Sequence, residues 1–466
     1  MEHSRSILRA EDRGPRSHCG EDVTMKCIGL DVHKRVVQAA VLHDTGEVEE
    51  DIRFACTPEL LRAFCRKHVG AKDKVALEAT TNCWAVAAII REFTDGVMVS
   101  NPMRTKLIAQ SRRKTDKVDA LILAQLLSAG FLPGVWEPDV KTREKREITS
   151  RRAALVHDRT AIKNRLHAVL AQRMIAPDGK LFSKEGHHLL RTLELDGVGR
   201  QLVDSDLRQL TQVEKEIAAL DDVIAGLAQE DDLAKLLMTL PGFDFGGAVG
   251  VVAGAGDMRR FPDGNHFASY FGLVPSTKQS AETTYHGPIT KAGRAHVRWI
   301  FCQAAMHLGG NKGPLGHFFR RLAQKKGHNK AVVATARKLA VIAWHLLVKK
   351  EPYRYAEPRI VEKKLSHLRV RTTKTKRKTS MRGTSRPATY GSGVGIRIVK
   401  DIDTVLAAEA LPPRMPAPAG EKKFLQDTGL DAVVAEYAKT RRLPRIRSPR
   451  LALKGKGSEP GSDESS

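Results

Sequence analysis

Between residues 26 and 128, short β-branched runs alternate with stretches of helical periodicity, a pattern that only a layered α/β domain accommodates. The run CIGLDVHKRVVQAAVL, Cys27 to Leu42, reads as two strands, and Asp44, Thr45 and Gly46 turn the chain into a third, more polar run from Glu49 to Ala55. Thr57-Pro58 caps and starts a helix with Leu60, Leu61, Phe64 and Val69 along one side, and Lys74 to Glu78 returns as a buried strand. A helix over Trp84 to Phe93 follows, then a strand from Val97 to Ser100 that Asn101-Pro102 stops. Thr115 opens a further helix through Leu121, Leu123, Ala124 and Leu127. The order β-β-β-α-β-α-β-α predicts an α/β fold with a mixed sheet whose first three strands are antiparallel.

In such sheets reactive groups collect at the carboxyl ends of strands. Asp31 follows the apolar run CIGL and Glu78 follows VAL, so each is costly to desolvate without a partner. Asp116 and Asp119 are three apart, which puts them about 5–6 Å from each other on one helix face. Taken alone, either aspartate is most simply an acid favoured by the helix macrodipole. Taken with Asp31 and Glu78 they supply carboxylates for a hard divalent cation, Mg2+ or Mn2+. Four acids suffice for two ions about 3.5–4 Å apart, the arrangement that activates a water or hydroxyl in phosphodiester chemistry.

The stretches IGLDVHK (28–34), ALEAT (76–80), SNPMRTKLIAQSRRKTDKVDALILAQLL (100–127), LPGFDFGGAVGVVAGAGDMRRF (240–261) and FASYFGLVPSTKQSAETTYHGPITKAGRAHVRWIFCQAA (267–305) resemble, in order, the transposases of the insertion sequence 110 family. The resemblance spans residues 26 to about 350. It implies a ribonuclease H-like domain of the Holliday-junction resolvase (RuvC-like) kind, with Asp31, Glu78, Asp116 and Asp119 as its acidic tetrad. It implies a DNA transposase/recombinase that cuts and rejoins strands at element ends and target. Ser280 falls where the family has the serine that becomes covalently joined to DNA, with Ser276 as the nearby alternative. A structured bridge RNA that guides target and donor choice, and a homotetramer with composite sites, are implied on the same ground. The chain departs from the family pattern at Thr81-Asn82-Cys83-Trp84 and at Gln279-Ser280-Ala281, which stands in place of Ser-Ser-Gly. Two rivals remain open: a metal-dependent junction nuclease with no serine step, and a nucleic-acid binder whose tetrad no longer works.

Beyond the α/β part, two long helices are expected over about 141–171 and 207–237, either as an intramolecular hairpin or as a coiled coil with another subunit. In the family this region mediates assembly. Arg151, Arg152, Arg159, Lys163, Arg165 and Arg173 make the first of them basic, which suits a nucleic-acid face. Arg112, Arg113 and Lys114, just before the acid pair, are further candidates for phosphate contact. Leu240-Pro241-Gly242 begins a Gly-rich segment resembling a hairpin between helices, whose backbone N–H groups suit a phosphate. The polar stretch Pro275 to Gly293, with Lys278, Lys291 and Arg294, reads as an exposed loop before apolar helices at Val297–Leu308 and Lys330–Lys350.

The chain carries 78 Lys+Arg against 53 Asp+Glu, a net +25, and residues 352–466 hold 25 Lys+Arg against 12 Asp+Glu. Lys363-Lys364 through Lys376, Arg377, Lys378 and Arg382 read as a flexible arm that neutralises phosphates. Pro412, Pro413, Pro416 and Pro418 then suggest a linker, and Lys422 to Leu443 a short amphipathic helix. The expected division is a disordered 1–24 extension, a catalytic domain at 25–140, a helical assembly region at 141–237, a second mostly α-helical transposase domain at 238–351, and a largely disordered tail at 352–466. Met25, immediately before the first strand, is an alternative start. No uncharged run reaches the roughly 20 residues of a spanning helix, and the first 24 residues lack an apolar signal core. The six cysteines form no CxxC pair. A cytoplasmic, nucleoid-associated protein with reduced thiols, DNA as partner and no membrane is the expectation.

Overall fold

The computed structural model describes residues 25–43, 45–108, 115–177, 180–280, 282–374 and 396–444. Expectations for the first 24 residues, for Arg112, Arg113 and Lys114, and for Lys376, Arg377 and Lys378 therefore lie outside the described residues. The chain divides into two compact units, residues 1–137 and 138–466.

The first unit is built on five strands: β1 (Cys27–Val32), β2 (Val36–Leu42), β3 (Val48–Ala55), β4 (Lys74–Glu78) and β5 (Gly96–Ser100). They lie in the order β3-β2-β1-β4-β5, with β1–β2 and β2–β3 antiparallel and β1–β4 and β4–β5 parallel. The mixed sheet is as expected. Its helices are α1 (Pro58–His68), α2 (Cys83–Ile90), α3 (Pro102–Ile108) and α4 (Asp116–Ser128). Helix α3 departs from the sequence expectation, in which Asn101-Pro102 only ends a strand. The same pair starts a helix, because Asn101 Oδ1 accepts from the amides of Met103 and Arg104 while proline suits the first helical turn.

Strand periodicity decides what each face carries. Ile28, Leu30 and Val32 of β1, with Val75 and Leu77 of β4, pack against Leu61, Phe64, Val86 and Ile90 of α1 and α2. Cys27 and Ala76 lie on the opposite face with Leu123, Ala124 and Leu127 of α4. Asp31 and Glu78 share the parity of Cys27 and Ala76, so the fold turns both acids toward the face that α4 covers. Gly29 permits the close approach, since a β-carbon there would lie 2.0 Å from Ala120 O and 2.6 Å from Ala124 N.

The second unit begins with α5 (Val140–Ala171), α6 (Lys184–Thr192), α7 (Gly197–Glu230), α8 (Asp232–Met238), α9 (Phe245–Ala255) and α10 (Gly264–Tyr270). The long helices α5 and α7 pack on each other within the chain, joined by Ile162, Leu166, Leu170, Val203, Leu207 and Leu210. The ion pairs Arg165–Asp206, Arg152–Asp221 and Lys145–Asp231 run in opposite sequence directions, so the two helices are antiparallel.

The stretch expected as a loop is instead a two-stranded antiparallel hairpin, β6 (Pro275–Ser280) and β7 (Thr283–Ile289). Thr277, Thr283, Thr284, Tyr285 and Ile289 are residue types that favour extended backbone, so the stretch suits a strand pair as well as a loop. Helices α11 (Ala295–Met306), α12 (Pro314–Lys326) and α13 (His328–Lys349) follow. By length and composition α13 is apolar enough to cross a membrane, with 50% of its most apolar stretch buried inside the protein. Only Arg337 and Lys338 interrupt that stretch, enough to break an uncharged run while its mean hydropathy stays at 1.6.

The tail expectation is corrected over much of its length. Helix α14 (Pro358–Thr373) buries Val361, Leu365 and Leu368 in the main core. Strand β8 (Ile396–Val399) precedes α15 (Ile402–Ala407), α16 (Ala419–Asp427), α17 (Asp431–Tyr437) and β9 (Arg441–Pro444), which pairs with β8. Ile402, Val405, Leu406 and Leu411 join the same core. The basic residues between 359 and 371 are interspersed with apolar residues at helical spacing, so the charge in the sequence masks an apolar face, and Lys364 itself turns inward onto Met238 O and Leu240 O.

Candidate functional site

Asp31 lies one residue before the end of β1 and Glu78 ends β4; because Leu30 pairs with Leu77 in register, the two acids are neighbours across adjacent parallel strands. Thr115 caps α4, its hydroxyl accepting from the amide of Val118, and this fixes Asp116 and Asp119 in the first turn. The side-chain donor atoms of Asp31, His33 and Asp116 lie within 4.8 Å of one another. His33 Nε2 is 3.1 Å from Asp31 Oδ2 and 3.4 Å from Asp116 Oδ1.

Burial raises the Asp31 carboxyl pKa; His33 opposes the rise, and the charges of Asp116 and Asp119 add to it. All three aspartates therefore act on one small volume, half-buried and short of positive charge. A carboxylate and imidazole donor set of this kind fits a divalent cation, whose charge offsets both the burial of Asp31 and the repulsion from Asp116 and Asp119. The four acids expected from the sequence are thus placed on one face of the sheet.

The surroundings of these acids include residues that the sequence alone does not single out: His33, Lys117, Asp51 and Gln38. His33 shares the parity of Asp31 but lies beyond the strand, and its approach to Asp116 depends on where α4 docks. Lys117 pairs with Asp51 of β3, and Gln38 of β2 donates to the same carboxylate. Gln38 is the register partner of Asp31, so this chain of contacts ties the acid-bearing turn of α4 to the sheet beside Asp31.

In the second unit, Ser280 is the last residue of β6 and exposed, paired in register with Thr283. Ser276 is at the base of the hairpin, where its hydroxyl donates to Pro288 O at 3.1 Å. Lys278, Lys291 and Arg294 are exposed along and after the hairpin, and Arg298 braces its base through Phe271 O and Ala292 O. Of the cations expected to face nucleic acid on α5, Arg152, Lys163 and Arg165 pair instead with Asp221, Glu214 and Asp206 of α7. Their charge is matched by the neighbouring helix, a complementarity invisible until the two helices are aligned. Gly242 forms the turn between α8 and α9 with φ +87°, packed against Ala304.

Comparison with known proteins finds two family models along the chain. A family model described as a transposase, of the DEDD type in the IS110 family, matches residues 28–175, and one described as Transposase IS116/IS110/IS902 family matches residues 234–317. The transposase for insertion sequence element IS1111A of Coxiella burnetii is 24% identical over 349 residues, 71% of this chain and 92% of that protein. The probable family 20 transposase of Pseudomonas aeruginosa is 28% identical over 346 residues, 70% of this chain and 98% of that protein. The pilin gene-inverting protein of Moraxella bovis is 27% identical over 263 residues, 55% of this chain and 74% of that protein.

Proposed function

Because the chain belongs to the IS110 family of transposases and is an enzyme that acts on DNA, we propose that it cuts and rejoins strands through Asp31, Glu78, Asp116, Asp119 and Ser280. The observation that carries this reading is the convergence of Asp31, Asp116 and His33 on one small volume, with Asp119 acting on Asp31. Asp31, Glu78, Asp116 and Asp119 would hold Mg2+ or Mn2+. Such an ion supplies Lewis acidity and stabilises charge on phosphodiester oxygens. Ser280, at the exposed end of its strand, supplies a hydroxyl whose oxygen forms the new bond to phosphorus as a strand oxygen leaves. Lys278 on the same strand contributes positive charge toward the phosphoryl oxygens. The engaged hydroxyl of Ser276 favours Ser280 as the nucleophile.

Rejoining, rather than hydrolysis, is supported by the likeness to a protein that inverts pilin genes, since inversion restores continuous strands. A structured guide RNA and a homotetramer belong to the same proposal and rest on the family resemblance; a net charge of +25 accommodates both nucleic acids. The test is incubation of purified protein with co-expressed element-flanking RNA, divalent ion and labelled target DNA, followed by a denaturing gel and peptide mapping. The expected result is a covalent adduct at Ser280 that disappears in Ser280→Ala and in Asp31→Asn. Free cut ends without an adduct would instead establish the nuclease. Sequencing the RNA that co-purifies after mild lysis checks the guide, and its absence counts against RNA guidance.

A further inference from the structure

A cavity of about 470 Å³ opens in the second unit beside the turn between α8 and α9, within the roughly 300–1,000 Å³ range of small-molecule sites. Its walls combine cations with an aromatic plate. Arg152 and Arg159 come from α5, one on either side of Val156, and Lys364 comes from α14. Trp299 of α11 lines it with 44% of its surface exposed, and the His296 ring stacks beside the indole at 6.2 Å and 25°. Burial first, then the charges of Arg152 and Arg294, lower the His296 pKa, so this ring is a neutral part of the plate at physiological pH.

The remaining charges have different duties. Arg152 is held by Asp221, and Lys364 donates to Met238 O at 2.7 Å and Leu240 O at 2.9 Å, which fixes the turn. Arg159 forms no ion pair among the described residues. Asp244 is occupied in capping α9 through the amide of Gly247. The cavity therefore presents an exposed indole face, one uncommitted guanidinium and two more cations behind it.

We propose that this cavity receives an unpaired nucleotide, its base against Trp299 and its phosphate toward Arg159. The assignment rests on the reading of the chain as a nucleic-acid enzyme but not on its cutting chemistry. A stacked base uses the π-face that every nucleobase has, and the guanidinium supplies charge without reading sequence. A base pair within a duplex has no free face to offer the indole, so the site selects extruded or single-stranded positions.

The test uses the full chain in EDTA, where cleavage does not intervene, and fluorescence anisotropy of a labelled 12-nucleotide DNA strand, the RNA of the same sequence, and the DNA duplex. Trp299→Ala should weaken single-strand binding by roughly 5- to 150-fold while leaving duplex binding nearly unchanged. Trp299→Phe should recover most of the loss. Arg159→Ala should lower the slope of log affinity against log salt by about 0.7 on the single strand, and Arg159→Lys should restore it. The strand that loses more affinity in Trp299→Ala identifies the source of the nucleotide as DNA or RNA. Unchanged single-strand affinity in both alanine variants, with wild-type circular dichroism, overturns the proposal, as does an equal loss on duplex. Failure of the cutting reading would appear separately, as absence of cleavage by the wild-type chain when divalent ion is restored.

Discussion

Asp31 carries opposed demands. A raised carboxyl pKa means that the folded protein holds this proton more tightly than the unfolded chain does, so its favourable contribution is complete in acid and is lost as pH rises through the folded value. At neutral pH the ionised group is a net cost of folding. Asp31→Asn is therefore expected to melt higher than wild type in the absence of divalent ion at pH 7, by about 2–4 °C for each kcal/mol relieved. The gap should close as pH falls below about 4, where the wild-type carboxyl is also neutral. Calorimetric scans at both pH values check this, and added Mn2+ should raise the wild type but not the variant. His33 is open to a separate test. As a donor beside Asp31 and Asp116 it should support cation affinity, so His33→Ala is expected to weaken Mn2+ binding about tenfold in a calorimetric titration. A histidine that merely neutralises surface acids would leave the affinity unchanged or improve it. Asp31 and Glu78 were legible in the sequence because a charge directly after an apolar run is costly to bury. His33 was not, since nothing in its neighbours records that α4 will come down beside it.

The elements show why spacing reveals some contacts and conceals others. Strand parity was enough to put Asp31 and Glu78 on one face, and the threonine cap was enough to place Asp116 and Asp119 in a first turn. What brings the two pairs together is Gly29, whose missing side chain lets α4 rest on β1. Gly29→Ala would set a methyl group against the backbone of Ala120 and Ala124, which a flexible side chain cannot relieve. The expected result is a loss of about 1–3 kcal/mol in chemical denaturation, with α4 displaced and DNA cutting reduced along with it. Wild-type stability and cutting in that variant would mean that α4 does not set the site's geometry. The basic face of α5 is the opposite case. Read alone it suggested nucleic acid, yet the register of α7 matches Arg152, Lys163 and Arg165 with carboxylates. Charge on one helix is informative about partners only after the facing helix is known. The hairpin whose first strand ends in Ser280 reads as a loop in the sequence because its strands are polar on both faces and so lack an apolar stripe.

At the scale of the whole chain, the largest revision concerns the region after residue 351. Its composition reads as an arm that binds phosphate, but Val361, Leu365 and Leu368 recur every three or four residues and close one side of the second unit's core. Arg354 and Tyr355 both bond the Glu421 carboxylate, and Arg414 donates to Arg354 O, so α16 and the proline segment are fastened to the residues that follow α13. Truncation after residue 351 is therefore expected to destabilise the second unit and not simply to weaken nucleic-acid binding. Leu365→Ala separates the two roles, because it removes core packing and leaves every charge in place. It should cost about 2–5 kcal/mol in urea denaturation, while DNA affinity measured below the transition keeps its wild-type salt slope. An appendage would give the reverse result: unchanged stability in Leu365→Ala, and a truncated chain that melts as wild type with a flatter salt dependence. Val361, Leu365 and Leu368 carry the packing of α14 without contributing to its charge, so a substitution confined to them decides whether the fold requires that packing.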